Sequence, residues 1–231
     1  MRLNDELVAL LKKEGCATVG FADVSCLPAE ARLSYSKGIL IALPFTREAM
    51  RENQIGLPRR YHEEHEPMTR HLQYLKKLTV CFLESRGYEA LGDTPASVID
   101  YDALRSPLPV KTVATLAGLG WIGKNAMLVT EGAGSALRMT VVLTNAPLEC
   151  GKPIMKSRCA PGCMACADVC PGSAPLGGLW EAGVDRDSFF DAHACQKAAK
   201  ARAKALLGCG EARCGLCVAI CPFTKKGLGY L

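Results

Sequence analysis

Thirteen cysteines occur in the 231 residues, and seven of them lie in two runs near the C-terminus. The first run is CAPGCMACADVCP at 159–171, and the second is CGLCVAICP at 214–222. Each run ends in C-x2-C-x3-C-P, the end of the bacterial iron–sulfur motif C-x2-C-x2-C-x3-C-P. Thiolates separated by two intervening residues can bind neighbouring irons of one cubane, and the last cysteine of a run binds the other cluster. The pattern therefore predicts two [4Fe–4S] clusters with crossed ligation.

Crossed ligation divides these cysteines into two ligand sets. The first set is Cys159, Cys163, Cys166 and Cys221. The second set is Cys170, Cys214, Cys217 and one upstream cysteine. Spacing alone leaves Cys195 and Cys209 open for that last position. Structural zinc is the alternative, but zinc sites use C-x2-4-C pairs without a terminal Cys-Pro, so iron–sulfur is favoured.

The elements that position these cysteines change in character near Leu148. Residues 1–148 are typical of an α/β (α+β) domain, whereas residues 149–231 are rich in cysteine, glycine and proline. The second part has few large apolar residues, so we expect metal clusters to hold it together. The predicted elements of the first part are helices at Leu3–Glu14 and Met68–Arg86, a buried strand at Gly38–Leu43, and strands at Ala126–Thr130 and Leu137–Thr144 joined by a hairpin-type turn. Cys81, on the second helix, is expected to be a small apolar filler.

A glycine motif, Gly118-Leu-Gly120-Trp-Ile-Gly123, matches the dinucleotide fingerprint G-x-G-x-x-G. The fingerprint requires a strand before it and a helix after it, so that the helix N-terminus receives the pyrophosphate. Here a short helix is predicted before the motif, at 111–117, and a strand after it. The sequence therefore favours a glycine-rich turn that approaches a flat partner closely.

The net charge of +5 does not by itself indicate a nucleic-acid partner. A cluster of basic residues on one predicted helix is expected to be a solvated face rather than an anion-binding patch. It comprises Lys197, Lys200, Arg202 and Lys204. The longest apolar run, at 38–45, is far short of the ~20 residues that span a bilayer, which predicts no membrane association. The N-terminus is typical of an amphipathic helix rather than an export signal, so a cytoplasmic location is expected.

With these residues in view, the sequence resembles the epoxyqueuosine reductase family, which is related to the corrinoid-dependent reductive dehalogenases. The resemblance rests on AGLGWIGKN at 117–125, GSALRMTVVLTNAPL at 134–148, FFDAHAC at 189–195 and the two cysteine runs. Arg60-Tyr61-His62 also resembles the family. The resemblance implies an α/β cobalamin-binding domain followed by a small ferredoxin-like domain with two [4Fe–4S] clusters.

The resemblance also implies specific roles. Cys195, which follows Asp191-Ala192, would complete the second cluster. The GLGWIGKN segment would approach a corrinoid through Gly118, Gly120, Trp121, Gly123, Lys124 and Asn125. The clusters would pass electrons from an external donor, such as a reduced ferredoxin or flavodoxin, to cobalt.

Two departures from the family bear on activity. Members that act on queuosine precursors carry an acidic proton donor in a D-S/T-A-P-V-type segment, but residues 104–110 here are LRSPLPV. The nearby Asp100 and Asp102 are expected to be solvated carboxylates, so the catalytic acid is unassigned. Many members also continue into a helical-repeat region suited to tRNA, whereas this chain stops nine residues after Pro222. The sequence therefore leaves two functions: a reductase of this type, which could act on tRNA, and an electron-transfer protein that serves a partner.

Overall fold

The structure, a computed structural model, describes residues 2–230. In chain order the elements are α1 (Leu3–Lys13), β1 (Thr18–Asp23), α2 (Ala29–Arg32), β2 (Lys37–Pro44), α3 (Arg47–Gln54), α4 (Arg59–Glu84), β3 (Ala90–Leu91), α5 (Val110–Leu116), β4 (Trp121–Ile122), β5 (Leu128–Val129), β6 (Leu137–Thr144), α6 (Ala165–Asp168), α7 (Ala192–Leu207), α8 (Leu216–Ala219) and α9 (Pro222–Gly227). The predicted mixed α/β class is confirmed.

The chain forms two compact units, and each is assembled from separate stretches of sequence. The first unit comprises the chain up to Leu43, Met68–Leu119 and Arg138–Ile154. The second comprises Pro44–Pro67, Gly120–Leu137 and the chain from Met155 onward. The division of the chain into one domain of residues 1–148 and a second of residues 149–231 remains a prediction.

The first unit is organised around a four-stranded sheet with the order β1-β2-β6-β3. β1 pairs with β2 in antiparallel register, with Val19 opposite Ile41. Residues 38–43 of β2 are all buried, as the continuous apolar run predicts for an interior strand. α1 and α4 contribute Leu7, Leu11 and Leu75 to the core, and all three are fully buried.

The second unit contains an apolar cluster that lies beside two of the cysteines. Its buried members are Ile122, Ala126, Ala174, Phe189 and Phe190. Cys170 and Cys195 are partly buried and pack against this cluster. The expectation that metal clusters hold this part of the chain together remains a prediction.

Three local predictions were wrong. α4 begins at Arg59 rather than Met68, and Pro67 lies inside it; proline removes one helical hydrogen bond, yet the helix continues. β5 pairs with β4 rather than with β6, because Thr130 and Gly134 exchange backbone hydrogen bonds of 2.9 and 3.0 Å that close a separate loop. Cys81 is exposed on α4 and fills no core space.

Candidate metal centres

A cavity of about 210 Å³ in the second unit is lined by four thiols. We call them the first cysteine group: Cys159, Cys163, Cys166 and Cys221. Cys166 lies within the short helix α6, and Cys221 precedes α9 at its N-cap position. Pro222 occupies the first turn of α9, where a missing N–H costs no helical hydrogen bond.

A second cavity, of about 190 Å³, is lined by four other thiols of the same unit. We call them the second cysteine group: Cys170, Cys195, Cys214 and Cys217. Cys195 projects from the first turn of α7, and Cys217 lies in α8. The buried Asn53 donates a hydrogen bond of 3.0 Å from Nδ2 to the Cys214 carbonyl oxygen, which fixes the loop before α8.

The two runs exchange their last cysteines. Cys170 ends the first run but lies with the second group, whereas Cys221 ends the second run but lies with the first. Cys195 lines the second cavity, and Cys209 lies elsewhere, beside His62 and Glu211. The structure therefore brings together the two sets of four that crossed ligation requires.

The chemistry of these donors fits a metal cluster. Burial, together with the neighbouring Cys159 and Cys163, raises the pKa of Cys166 to about 11. Burial also raises the pKa of Cys217, with Cys195 as the next cause. Crowded, buried thiols are poor sites for uncompensated negative charge, but a bound cationic cluster stabilises their thiolates. Four thiolates around one cavity are the donor set of a [4Fe–4S] cluster.

Lys124, from the GLGWIGKN motif, also lines the first cavity. Only 3% of its surface is exposed, which is rare for a lysine. Its Nζ donates hydrogen bonds to the carbonyl oxygens of Pro161, at 2.6 Å, and Cys163, at 3.0 Å. The ammonium group therefore fastens the loop that presents the first thiols and places a positive charge beside them.

The neighbouring motif residues are also directed into the protein. Asn125 is buried and donates from Nδ2 to the Ser135 hydroxyl, at 3.3 Å, and to the Cys217 carbonyl, at 3.4 Å. Trp121 is 1% exposed and makes an edge-to-face contact with Phe223 at 4.9 Å between ring centroids. These side chains thus connect the motif to the cysteine-bearing segments.

Close contacts within the protein explain why the motif has glycine at these positions. A Cβ on Gly118, whose φ is +73°, would lie 2.5 Å from the Lys152 carbonyl oxygen. A Cβ on Gly120 would lie 2.1 Å from the Val129 carbonyl oxygen, and one on Gly123 would lie 2.8 Å from Asn125 Oδ1. These contacts account for the glycines without a corrinoid, and a corrinoid contact at the motif remains a prediction.

The dinucleotide interpretation of the motif does not hold. The motif follows helix α5, contains strand β4 and is followed by strand β5, which is the reverse of the required order. Asp100 and Asp102 are exposed, as predicted, and the Asp100 carboxylate accepts the backbone N–H of Asp102 at 2.9 Å. Along α7, Lys197, Lys200 and Lys204 are exposed to solvent, but Arg202 is half-buried and donates from Nη1 to the Cys214 carbonyl oxygen at 3.5 Å. The expectation of a solvated basic face is therefore wrong for Arg202.

Two aromatic rings of α4 also lie at the second cavity, Tyr61 of the Arg60-Tyr61-His62 segment and His65, which belongs to no motif. Tyr61 and His65 line it, with their ring centroids 4.7 Å apart, and both pack on Phe45. Their spacing of four residues on α4 places them on one helix face. That spacing could have predicted that the two rings lie side by side. The predicted helix began only at Met68, so the spacing was not recognised as helical.

Sequence comparisons relate this chain to epoxyqueuosine reductases. It is 39% identical over 72 residues to the enzyme of Pseudomonas aeruginosa, which covers 31% of this chain and 20% of that protein. It is 31% identical over 132 residues to the enzyme of a Synechococcus species, which covers 53% of this chain and 38% of that protein. The chain therefore spans less than half the length of these two relatives. No protein-family model matches it.

Structural comparisons cover nearly the whole chain. An epoxyqueuosine reductase solved with an epoxyqueuosine-modified tRNA-Tyr stem loop matches 96% of this chain and 65% of that one, with a TM-score of 0.61 and 20% identity. A catabolic reductive dehalogenase in complex with 3-bromo-4-hydroxybenzoic acid matches 94% of this chain and 31% of that one, with a TM-score of 0.61 and 17% identity.

The fold is thus the one shared by epoxyqueuosine reductases and reductive dehalogenases. Within that class, the sequence matches are to epoxyqueuosine reductases. The resemblance to the epoxyqueuosine reductase family that the motifs predicted is therefore confirmed.

Proposed function

We propose that this chain is an iron–sulfur oxidoreductase resembling epoxyqueuosine reductase, with one [4Fe–4S] cluster in each cysteine cavity. The observation that carries the proposal is the grouping of eight thiols into two sets of four with the last cysteines exchanged. Such exchange is typical of two-cluster ferredoxins. It serves electron transfer because it holds two clusters close to each other.

The chain's own residues hold the two sites together. Cys217 belongs to the second group, and its pKa is raised by Cys170 of the same group and also by Cys166 of the first group. The two groups therefore lie within electrostatic range of one another. When bound, each cluster would supply one-electron transfer. Lys124 would offset the negative charge of four thiolates, and Asn125 would hold the Cys217 peptide. Movement of Lys124 or Asn125 would therefore displace the backbone of a cysteine that is proposed to bind a cluster.

The proposal continues to the electron acceptor and donor. Electrons would pass to a corrinoid or substrate in the N-terminal domain, residues 1–148, with Gly118, Gly120, Trp121, Gly123, Lys124 and Asn125 as the proposed corrinoid contacts. A reduced ferredoxin or flavodoxin would be the external donor. One structural relative carries an epoxyqueuosine-modified tRNA stem loop, which makes such a tRNA the first substrate to test.

Membrane association is not part of the proposal. Among residues 2–230, none of the helices combines the length and the apolar character that crossing a membrane requires. A cytoplasmic location remains the prediction from the sequence.

A second function is favoured by one specific observation. The side chains of Trp121, Lys124 and Asn125 are at least 97% buried, and the polar atoms of Lys124 and Asn125 bond to the cysteine-bearing segments and Ser135. The motif then serves the clusters alone. Together with the lack of an acidic residue in LRSPLPV, this burial favours an electron-transfer protein without epoxyqueuosine reductase activity.

Anaerobic purification followed by iron, sulfide and cobalt analysis tests these alternatives. We expect about eight irons per chain for two cubane clusters. Visible spectra before and after addition of cobalamin then distinguish the two functions. A corrinoid spectral change, followed by deoxygenation of epoxyqueuosine tRNA, supports the reductase. Full iron loading without a corrinoid response or turnover supports the electron-transfer protein, and a lack of iron with bound zinc would overturn both.

A further inference from the structure

Three metal-ligating side chains meet outside the two cysteine groups. They are His62 in the first turn of α4, and Cys209 and Glu211 in the segment between α7 and α8. One ligand atom from each residue lies within 4.8 Å of the others. The crossed ligation of the clusters uses none of the three.

The His62 imidazole is oriented for metal binding. Its Nε2 lies 2.6 Å from the Arg213 carbonyl oxygen, which can only accept a hydrogen bond. Nε2 therefore carries the proton in the neutral ring, and the Nδ1 lone pair faces Glu211. Metal-binding histidines usually donate their other ring N–H in this way, because the bond fixes the tautomer and raises the basicity of the ligand.

The spacing of the ligand atoms leaves room for an ion. His62 Nδ1 lies 3.7 Å from Glu211 Oε2, which is too long for a hydrogen bond. Nitrogen and oxygen ligands around a tetrahedral zinc are roughly 3.4 Å apart, given bonds of about 2.0–2.2 Å. The distance between His62 Nδ1 and Glu211 Oε2 would therefore need to shorten only slightly for both atoms to bind one zinc ion.

Arg213 supports both ligands rather than competing for them. Its backbone oxygen orients His62, and its Nη1 donates to Glu211 Oε2 at 2.8 Å. A carboxylate has about four lone-pair positions, so it accepts this bond and still ligates a metal. The Glu211 side chain is 49% exposed, so the outer side of the site faces solvent and admits a water as a fourth ligand.

We propose that His62 Nδ1, Cys209 Sγ and a carboxylate oxygen of Glu211 bind a zinc ion, with water in the fourth position. A mixed sulfur, imidazole and carboxylate set suits zinc among the common divalent metals. The ion would tie the start of α4 to the segment that leads into Cys214, and so order one side of the second cysteine group.

The test uses the full chain with both clusters loaded, one equivalent of Zn²⁺ and zinc K-edge absorption, which does not detect iron. The expected spectrum shows one sulfur at about 2.3 Å and nitrogen or oxygen ligands at about 2.0–2.2 Å. Cys209→Ser should remove the sulfur contribution and weaken zinc binding at least tenfold. His62→Gln should weaken zinc binding to a similar degree but keep the sulfur contribution. The matched control is Cys81→Ser, which changes an exposed cysteine on α4 and should leave zinc binding unchanged.

Two results would overturn the proposal. The first is a zinc shell in the parent protein with no sulfur, or with several sulfurs, which would place the ion on the surface or in a cysteine cavity. The second is a fall in the iron content of Cys209→Ser to about four per chain, which would make Cys209 a cluster ligand. The parent spectrum decides the matter even if the variants fold poorly, and neither result depends on reductase activity.

Discussion

The ammonium nitrogen of Lys124 lies 3.0 Å from the carbonyl oxygen of Cys163, so a buried cation is bonded to the backbone of a thiol-bearing residue. The glycine-rich motif thus reaches the first cysteine group through its only charged side chain. A buried charge requires compensation, which the four thiolates of a bound cluster would supply. The motif and the cysteine run therefore function as one structure.

Lys124→Gln should shift the reduction potential of the cluster in the first cavity to more negative values. Removing the positive charge destabilises the reduced cluster, which carries one more negative charge. The lost bonds to two carbonyl oxygens should also cost roughly 1–3 kcal/mol of unfolding free energy. Potentiometric titration followed by electron paramagnetic resonance measures the first effect. Lys124→Arg keeps the charge and serves as the control; equal potentials in the two variants would contradict an electrostatic role.

Cys217→Ala should remove one cluster. The iron content should fall from about eight to about four per chain, since the second group loses one of its four ligands. The segment from Cys150 onward should also become sensitive to protease, because its sequence has few large apolar residues and cluster binding contributes to its folding. Cys81→Ala, at an exposed position, should retain all of the iron. A folded Cys217→Ala protein with both clusters intact would refute the ligand assignment.

Cys195 and Cys209 should respond differently to replacement by serine. Cys195 lines the second cavity, whereas Cys209 lies beside His62. Cys195→Ser should therefore lose about four irons or show an altered cluster spectrum, while Cys209→Ser should keep about eight. Iron analysis with Mössbauer spectroscopy separates the outcomes. The opposite pattern would exchange the two assignments.

Gly215→Ala should destabilise the second cysteine group more than Gly208→Ala. Both glycines have positive φ, +67° and +72°, so alanine costs each about 1–2 kcal/mol. At Gly215 the new Cβ would also lie 2.6 Å from the Tyr61 ring and 2.8 Å from Asn53 Nδ2, whereas Gly208 has nothing within 4 Å. The clash should add roughly 1–3 kcal/mol. Anaerobic thermal loss of the cluster absorbance provides the measurement, and equal midpoints would disprove the contact.

Much of the candidate site could be predicted from the sequence because cluster ligands obey short-range geometry. Cysteines separated by two or three intervening residues have few conformations that present thiols to one cubane, so spacing alone proposed seven of the eight cavity-lining cysteines. It left Cys195 and Cys209 open, because nothing local distinguishes them. The resemblance to a family favoured Cys195, and the structure places that residue at the second cavity.

Local sequence patterns did not predict the features that depend on contacts between distant residues. The start of α4 was misplaced because Pro67 is a strong helix-start signal, yet Tyr61 and His65 pack on Phe45 and support the part of the helix that precedes it. The pairing of β5 with β4 depends on the small loop closed between Thr130 and Gly134. The roles of Lys124 and Asn125 depend on partners 37 and 92 residues away.

Residue type and short spacing predicted the kinds of ligand, their division into two crossed sets and the α/β class, because these depend on residues close together in the chain. Packing of distant segments places Cys195 at the second cavity, buries Lys124 beside the first, and brings His62 next to Cys209 and Glu211. Contacts between distant residues arise from packing of the whole chain, and no local pattern encodes them.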